Sequence, residues 1–158
     1  MSTATLDSKK VIITVAGFPI TGFSKTFVKI TRAEDSFKKS VGADGFVTRV
    51  KSNDLSGSIE ITLMQGSPSN SLLSALNNAD ERTGAAIVPV TVTDLSGTSA
   101  SYAGTAWVKK PADQEWGAED KDRAWTLDCS ELVIVEGGNF SVADMAADIA
   151  GVVASLGA

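Results

Sequence analysis

Histidine is absent from this chain of 158 residues. Without histidine the chain can form neither a Ser–His triad nor a Cys–His pair, and it lacks the usual nitrogen ligand of a zinc site. The single cysteine, Cys129, excludes an intramolecular disulfide, so folding does not depend on an oxidising compartment. Cys129 falls in a predicted strand, where we expect a small buried core residue.

Sequence motifs of catalysis and phosphate binding are also missing. The segment GSPSN at residues 66–70 lacks the Gly-x-Ser-x-Gly spacing, and its proline suits a helix start. No Gly-x-x-x-x-Gly-Lys sequence occurs, and no carboxylate stands in the apolar setting that a general acid needs. The sequence therefore predicts a protein that is not an enzyme and that needs no cofactor or metal.

Long apolar runs and an excess of positive charge are absent too. Residues 132–135 and 149–156 form the longest apolar runs, far below the roughly 20 residues that span a bilayer. The first ten residues, MSTATLDSKK, lack the apolar segment of a signal peptide. A net charge of −5 argues against surfaces for duplex DNA or anionic lipid, which need Lys and Arg. We expect neither membrane association nor specific DNA binding.

What is abundant is short β-type segments separated by turns. The length predicts one domain over residues 1–158, and the 43% hydrophobic content excludes disorder by composition. Seven to nine strands and a helix at 69–78 predict a mainly β fold, with two packed antiparallel sheets in a β-sandwich or barrel-like arrangement. Residues 1–9 are expected to form a flexible arm. Residues 139–158 form a C-terminal extension, with a possible helix at 141–155.

The segment 41–70, VGADGFVTRVKSNDLSGSIEITLMQGSPSN, has the most regular pattern. Asp44-Gly45 predicts a tight turn, because glycine tolerates the positive φ that such turns require. Residues 46–52 and 58–64 are predicted to be neighbouring strands on either side of a second turn.

The second of these strands alternates between apolar and polar residues. Its apolar positions are Ile59, Ile61 and Leu63, and its polar positions are Ser58, Glu60 and Thr62. Because side chains alternate along a strand, this pattern predicts a sheet with one covered face and one wet face.

Three segments, VGADGFVTRV, SGSIEITLMQGSPSN and VTVTDLSGT, resemble the tail-tube proteins of contractile-tailed bacteriophages. The resemblance runs from about residue 11 to about residue 135. It implies a structural virion protein that polymerises as stacked hexameric rings into the inner tail tube, through which phage DNA passes. The implied partners are other copies of the chain, the tail sheath, and the baseplate and tail-terminator proteins. The implied location is the virion tail, after synthesis in the host cytoplasm.

A DNA conduit needs a wall that does not retain its cargo, so neutral or acidic polar side chains suit the lumen. The predicted lumen-lining residues are Ser58, Glu60 and Thr62, together with Thr48 on the strand expected beside them. Arg49 and Lys51 fit such a wall poorly. They are expected at the rim of a partner sheet or paired with acids of the next subunit.

Other segments are assigned to contacts between copies or with the sheath. The arm and the first hairpin are predicted to make contacts between rings or subunits, through Lys9, Lys10, Asp44, Gly45 and Phe46. The polar loop at 111–123 does not fit the spacing of a calcium-binding EF-hand loop, and it is predicted to be a solvated outer surface that faces the sheath. Its residues are Asp113, Glu115, Trp116, Glu119 and Asp120.

Two alternatives remain open. The chain could be the tube protein of a related contractile secretion or injection system, since the folds are similar. It could also be a monomeric β-sandwich that binds a glycan or receptor, for which Trp116 in the polar loop would offer a stacking platform. Trp107 and Trp125 lie in predicted strands, where packing within the sheet is the simplest role.

Overall fold

The computed structural model describes residues 5–138 together with residues 153, 154 and 156. This part of the chain contains ten strands, one α-helix and a short 3-10 helix at Ser8–Lys10. The strands are β1 Val11–Val15, β2 Phe18–Pro19, β3 Phe23–Arg32, β4 Phe37–Val41, β5 Val47–Lys51, β6 Gly57–Leu63, β7 Val88–Asp94, β8 Ala100–Lys110, β9 Arg123–Cys129 and β10 Leu132–Val135. The helix α1 is Ser69–Thr83.

The strands form two antiparallel sheets of unequal size. Eight strands make the large sheet, in the order β2-β1-β7-β8-β9-β6-β3 with β10 paired to β8, while β4 and β5 make the small one. The predicted fold class, mainly β with two antiparallel sheets and one internal helix, is confirmed.

The predicted alternation in β6 is confirmed and defines the core. Ile59, Ile61 and Leu63 are fully buried, whereas Glu60 between them is exposed. The buried side chains come from both halves of the large sheet, and α1 adds the fully buried Leu73. One continuous core therefore holds the sheet and the helix together.

Helix α1 is longer than the predicted segment 69–78. It continues to Thr83 and ends at Gly84, whose left-handed backbone (φ 68°) terminates the helix. Between residue 78 and Gly84 the sequence contains no helix breaker, so the helix extends beyond its apolar stripe. Leu72, Leu73 and Leu76 pack on the core, as the leucine spacing predicted.

The expected pairing of residues 46–52 with 58–64 is wrong. Strand β5 pairs with β4, and β6 pairs with β3, so the chain from β3 to β6 forms one long hairpin in two sections. Where the two sections meet, one backbone hydrogen bond extends each ladder. The Ala33 amide donates to the Ser56 carbonyl (3.0 Å) next to the β3–β6 pair, and the Ser52 amide donates to the Ser36 carbonyl (2.9 Å) next to the β4–β5 pair. Thr48 consequently lies opposite Ser40 in the small sheet and does not adjoin β6.

The run of Trp, Leu, Val and Ile at 125–135 predicts one strand, but in the structure this strand is interrupted at Ser130-Glu131. Both parts run along the same edge of β8 in one register, with Ala106 opposite Cys129 and Ala103 opposite Leu132. At the interruption the Ser130 amide donates to the Thr105 carbonyl (3.1 Å). Cys129 is buried, as predicted.

The predicted N-terminal arm and the predicted C-terminal helix both include residues that the structure does not describe. The possible helix at 141–155 falls almost entirely outside them, and so do the first four residues of the arm. The part of the arm that is described includes a 3-10 turn capped by Asp7, whose carboxylate accepts from the Lys9 amide (3.0 Å). Among the described residues no helix is long and apolar enough to cross a bilayer.

Candidate assembly surfaces

The strands β8, β9, β6 and β3 form a four-stranded section of the large sheet whose outer face is polar. On this face Glu60 of β6 lies between Lys29 of β3 and Thr126 of β9. One step along, Ser58 lies between Thr31 and Asp128 in the same way. We call this surface the polar face. Three of the four predicted lumen-lining residues, Ser58, Glu60 and Thr62, share it.

The polar face carries charges of both signs. Lys29 is the direct cross-strand neighbour of Glu60, and Asp128 of β9 lies opposite Trp107 of β8. The single-strand pattern of β6 could not reveal these neighbours, because they depend on which strands pair and in what register. The face is therefore mixed in charge, where the sequence suggested an acidic wall.

Within the described residues, one outer edge of the four-stranded section is unpaired along β3, and the other is unpaired over the last four residues of β8. Strand β3 is ten residues long and pairs only with β6. On the other side, β8 pairs with β7 only as far as Ala106, so residues 107–110 pair with β9 alone. Unpaired amide and carbonyl groups on a sheet edge are a template for pairing with another chain.

The small sheet, β4 with β5, projects from the large one. Every position of both strands is exposed. The turn between them has Gly45 at φ 87°, and the Asp44 carboxylate accepts from the Phe46 amide (3.2 Å), which confirms the predicted Asp-Gly turn. Phe46 at this turn is 73% exposed. We call β4, β5 and their turn the projecting hairpin.

The projecting hairpin holds two like charges directly opposite each other. Lys39 of β4 is the register partner of Arg49 of β5, and within the described residues neither side chain makes an ion pair. The Arg49 guanidinium lies 4.1 Å from the centre of the Phe37 ring instead. Opposed like charges destabilise a strand pair. The hairpin therefore carries uncompensated positive charge.

The loop between β8 and β9 folds around a buried arginine, which the sequence analysis did not predict. Arg123 is only 6% exposed, and its Nη1 donates to the carbonyls of Lys121 (3.1 Å) and Glu115 (3.3 Å). Its guanidinium lies 5.0 Å from the centre of the Trp116 ring, yet Trp116 remains 71% exposed. Trp116 therefore contacts its own domain and still offers an open surface.

A cleft of about 520 Å³ separates this loop from helix α1. Trp116, Trp125 and Arg123 line it on the loop and sheet side, and Asn70 and Asn78 line it on the helix side. We call it the Trp116 cleft. The predicted outer-loop residues Asp113, Glu115, Glu119 and Asp120 are all exposed on the loop beside it.

The sequence-predicted contact residues form separate groups. Asp44, Gly45 and Phe46 lie at the tip of the projecting hairpin, with Arg49 and Lys51 on β5. Lys9 and Lys10 are exposed in the 3-10 turn that precedes β1, a strand in the other half of the large sheet. These groups do not form one site, and their roles between subunits stay predictions.

Two groups in the described part of the chain have a displaced pKa, and neither belongs to a reactive site. Burial raises the pKa of the Cys129 thiol. The Ser56 hydroxyl and amide hold the pKa of Asp54 below its ordinary value. Among the described residues no cluster of His, Cys, Asp or Glu could hold a metal ion.

Comparison with known proteins shows which family the sequence matches. The family model described as the bacteriophage PhiTE tail tube protein matches residues 15–137. The chain belongs to this tail tube family. The matched region contains β2 through β10, α1 and the last residue of β1, and therefore the projecting hairpin, the polar face and the Trp116 cleft.

One curated relative and several solved structures are similar to this phage tail tube protein. Structural protein ORF10 of Pseudomonas phage KPP10 is 28% identical over 132 residues, which cover 82% of this chain and 76% of that one. The anti-feeding prophage tube-terminating cap has a TM-score of 0.60 at 12% identity, covering 85% of this chain and 93% of that one.

Two structures from the PVC extracellular contractile injection system have the same fold. The sheath/tube terminator in the extended state has a TM-score of 0.60 at 13% identity, covering 86% of this chain and 100% of that one. The sheath–tube complex has a TM-score of 0.58 at 13% identity, covering 83% and 91%. At these identities the likeness concerns the fold alone.

Proposed function

We propose that this tail tube protein forms hexameric rings that stack into the inner tube of a contractile tail, and that phage DNA passes through the lumen. The observation that carries the proposal is the four-stranded polar-faced section with unpaired backbone at both edges, along β3 on one side and at residues 107–110 of β8 on the other. Residues 107–110 of β8 in one copy pair with β3 of the next, and repetition around a closed ring removes every such edge.

The closed ring places the polar face toward its centre. The opposite face of the same strands is already occupied by the core, so the polar face is the one left to line a channel. Glu60 and Lys29 are cross-strand neighbours and offset each other's charge. DNA then meets a nearly neutral hydrophilic wall that neither repels it strongly nor traps it.

The remaining roles follow from the same assembly. The chain acts without catalysis, and its partners are other copies, the surrounding sheath, and the baseplate and terminator that close the two ends of the tube. DNA crosses the lumen without specific binding. The tube of a related contractile injection system is the second candidate, favoured by the fold shared with the PVC sheath–tube complex.

Negative-stain microscopy of the purified full chain tests the assembly. We expect rings or tubes without any added ligand. Thr26→Pro should abolish them, because Thr26 is an exposed residue of β3 in the stretch between Phe23 and Val28 where the register with β6 shifts. Proline there blocks pairing on the outer edge. Thr26→Ala is the matched control and should assemble normally. A wild-type chain that stays monomeric under all conditions contradicts the proposal.

The lumen assignment has its own test. Glu60→Lys leaves two lysines side by side on each subunit's polar face, and the resulting tubes should retain short duplex DNA in a salt-sensitive manner. Glu81→Lys, at an exposed position of α1, makes the same change in net charge away from the polar face and should retain no DNA. If no DNA sediments together with the Glu60→Lys tubes, the polar face does not line the lumen.

A further inference from the structure

The projecting hairpin and the Trp116 cleft lie at opposite ends of the same strands. On β6 the hairpin joins at Gly57, and the loop that carries the cleft adjoins Leu63, which is the register partner of Arg123. Seven residues of extended chain place these two ends roughly 20 Å apart. Since the two features are on opposite ends, copies stacked end to end bring the hairpin of one against the cleft of the next.

The two ends carry opposite charge. The hairpin from Phe37 to Lys51 contains four basic residues and one acidic residue, whereas the loop at 111–123 contains five acidic residues and two basic ones. Lys39 and Arg49 are directly opposed, and neither forms an ion pair within the described part of the chain. A surface with negative charge would relieve their repulsion.

The hairpin tip and the Trp116 cleft also fit each other, because each exposes an aromatic side chain. Phe46 projects from the hairpin tip with 73% of its surface exposed, and Trp116 offers a 71% exposed ring beside a cleft of about 520 Å³. That volume exceeds what one phenylalanine side chain fills, so the neighbouring turn residues can enter too. Aromatic anchors in pockets surrounded by complementary charge are the usual centres of protein interfaces.

One residue that lines the cleft has a buried donor without an acceptor in the described part of the chain. Arg123 lines the cleft and is buried, but its Nη2 has no acceptor among the described residues. A buried donor without an acceptor is costly, and an oxygen of an inserted segment is one way to satisfy it.

We propose that the hairpin tip of one copy inserts Phe46 into the Trp116 cleft of a second copy in the next ring, with Lys39 and Arg49 against Glu119 and Asp120. This inference rests on the proposed function, because it names the contact by which rings stack. It gives the 111–123 loop a role between rings, where the sequence suggested contact with the sheath. The contact joins different surfaces of identical chains and therefore propagates along a tube.

Charge reversal tests the contact. We expect K39E/R49E and E119K/D120K each to stop at single rings, because like charges then face each other between rings. One chain carrying all four substitutions restores opposite charges at every contact and should again form tubes. Arg82→Glu and Glu131→Lys, at exposed positions elsewhere, are the matched controls and should stack normally. Tube length is measured by negative-stain microscopy across a series of salt concentrations.

The apolar part of the contact is tested separately. Phe46→Ala should shorten tubes without preventing ring formation, while Leu95→Ala, another exposed apolar residue in a turn, should leave tube length unchanged. If both reversal variants stack like the wild type, or the fourfold variant fails to recover tubes that the paired variants lost, the docking proposal is wrong although rings still form. A wild-type chain that forms neither rings nor tubes overturns this proposal and the proposed function together.

Discussion

Trp125 donates a hydrogen bond from its indole nitrogen to the side-chain oxygen of Asn70 (3.0 Å). Trp125 is buried in β9, and Asn70 is in the first turn of α1. The amide of Asn70 in turn donates to the carbonyls of Met64 (3.0 Å) and Gln65 (3.3 Å), which follow β6. One asparagine therefore joins the helix start, the end of β6 and the sheet, and it forms part of the wall of the Trp116 cleft.

Replacement of Asn70 by alanine should destabilise the monomer. The substitution leaves the buried indole donor of Trp125 and the Gln65 carbonyl without their Asn70 partner, which costs about 1–3 kcal/mol. The Met64 carbonyl still accepts from the Ser67 amide (3.0 Å). Urea denaturation followed by tryptophan fluorescence measures the loss. Asn78→Ala, at an exposed position farther along the same helix, should change the free energy of unfolding by about 0.5 kcal/mol or less. Equal effects at both positions would show that the Trp125 bond contributes nothing.

The sequence predicted the features of the fold that depend only on residues close together in the chain. The alternation of β6 was predictable because one face of that strand is buried. The Asp44-Gly45 turn was predictable because its conformation is local. The pairing of β5 was not, since every residue of that strand is exposed and no burial pattern marks its register.

The residues of the candidate surfaces were likewise predictable only where the pattern is local in sequence. Ser58, Glu60 and Thr62 were placed together correctly, but their neighbour Lys29 was not foreseen, because cross-strand partners depend on long-range pairing. The burial of Arg123 was missed because charged residues are mostly exposed. It is explained by the fold-back of the loop, which brings the Glu115 and Lys121 carbonyls to the guanidinium.

Gly57 should tolerate no side chain. A β-carbon at this position would lie 2.6 Å from both the Leu132 side chain and the Thr31 carbonyl oxygen. Gly57→Ala forces β6, β3 and β10 apart and should cost about 1–3 kcal/mol. Gly66→Ala is the control, because a β-carbon there meets nothing within 4 Å. Thermal unfolding of the two variants should show a lower Tm only for Gly57→Ala, and equal Tm values would exclude the clash.

Cys129 should resist thiol reagents in the folded protein. It is 2% exposed, its thiol donates to the Gly57 carbonyl (3.2 Å), and burial raises its pKa, so little reactive thiolate forms near neutral pH. Labelling with a chromogenic disulfide reagent should be slow in buffer and fast in denaturant. Rapid labelling of the native chain, at the rate of a small free thiol, would contradict the burial of β9.

Asp54 should titrate below its ordinary range because of Ser56. Its carboxylate accepts from the Ser56 hydroxyl (2.5 Å) and amide (3.0 Å) in the turn before β6, and both bonds favour the charged form. Because the folded pKa is depressed, the stabilisation is present above the unfolded pKa and is lost as the pH falls through the folded pKa.

Ser56→Ala removes the hydroxyl and should move the pKa of Asp54 upward, as followed by NMR titration of the carboxyl carbon. Ser52→Ala, whose hydroxyl accepts from the Asp54 amide and does not touch the carboxylate, should leave it unchanged. An Asp54 titration that is the same in the Ser56→Ala variant and the wild type would mean that the hydroxyl bond does not persist in solution.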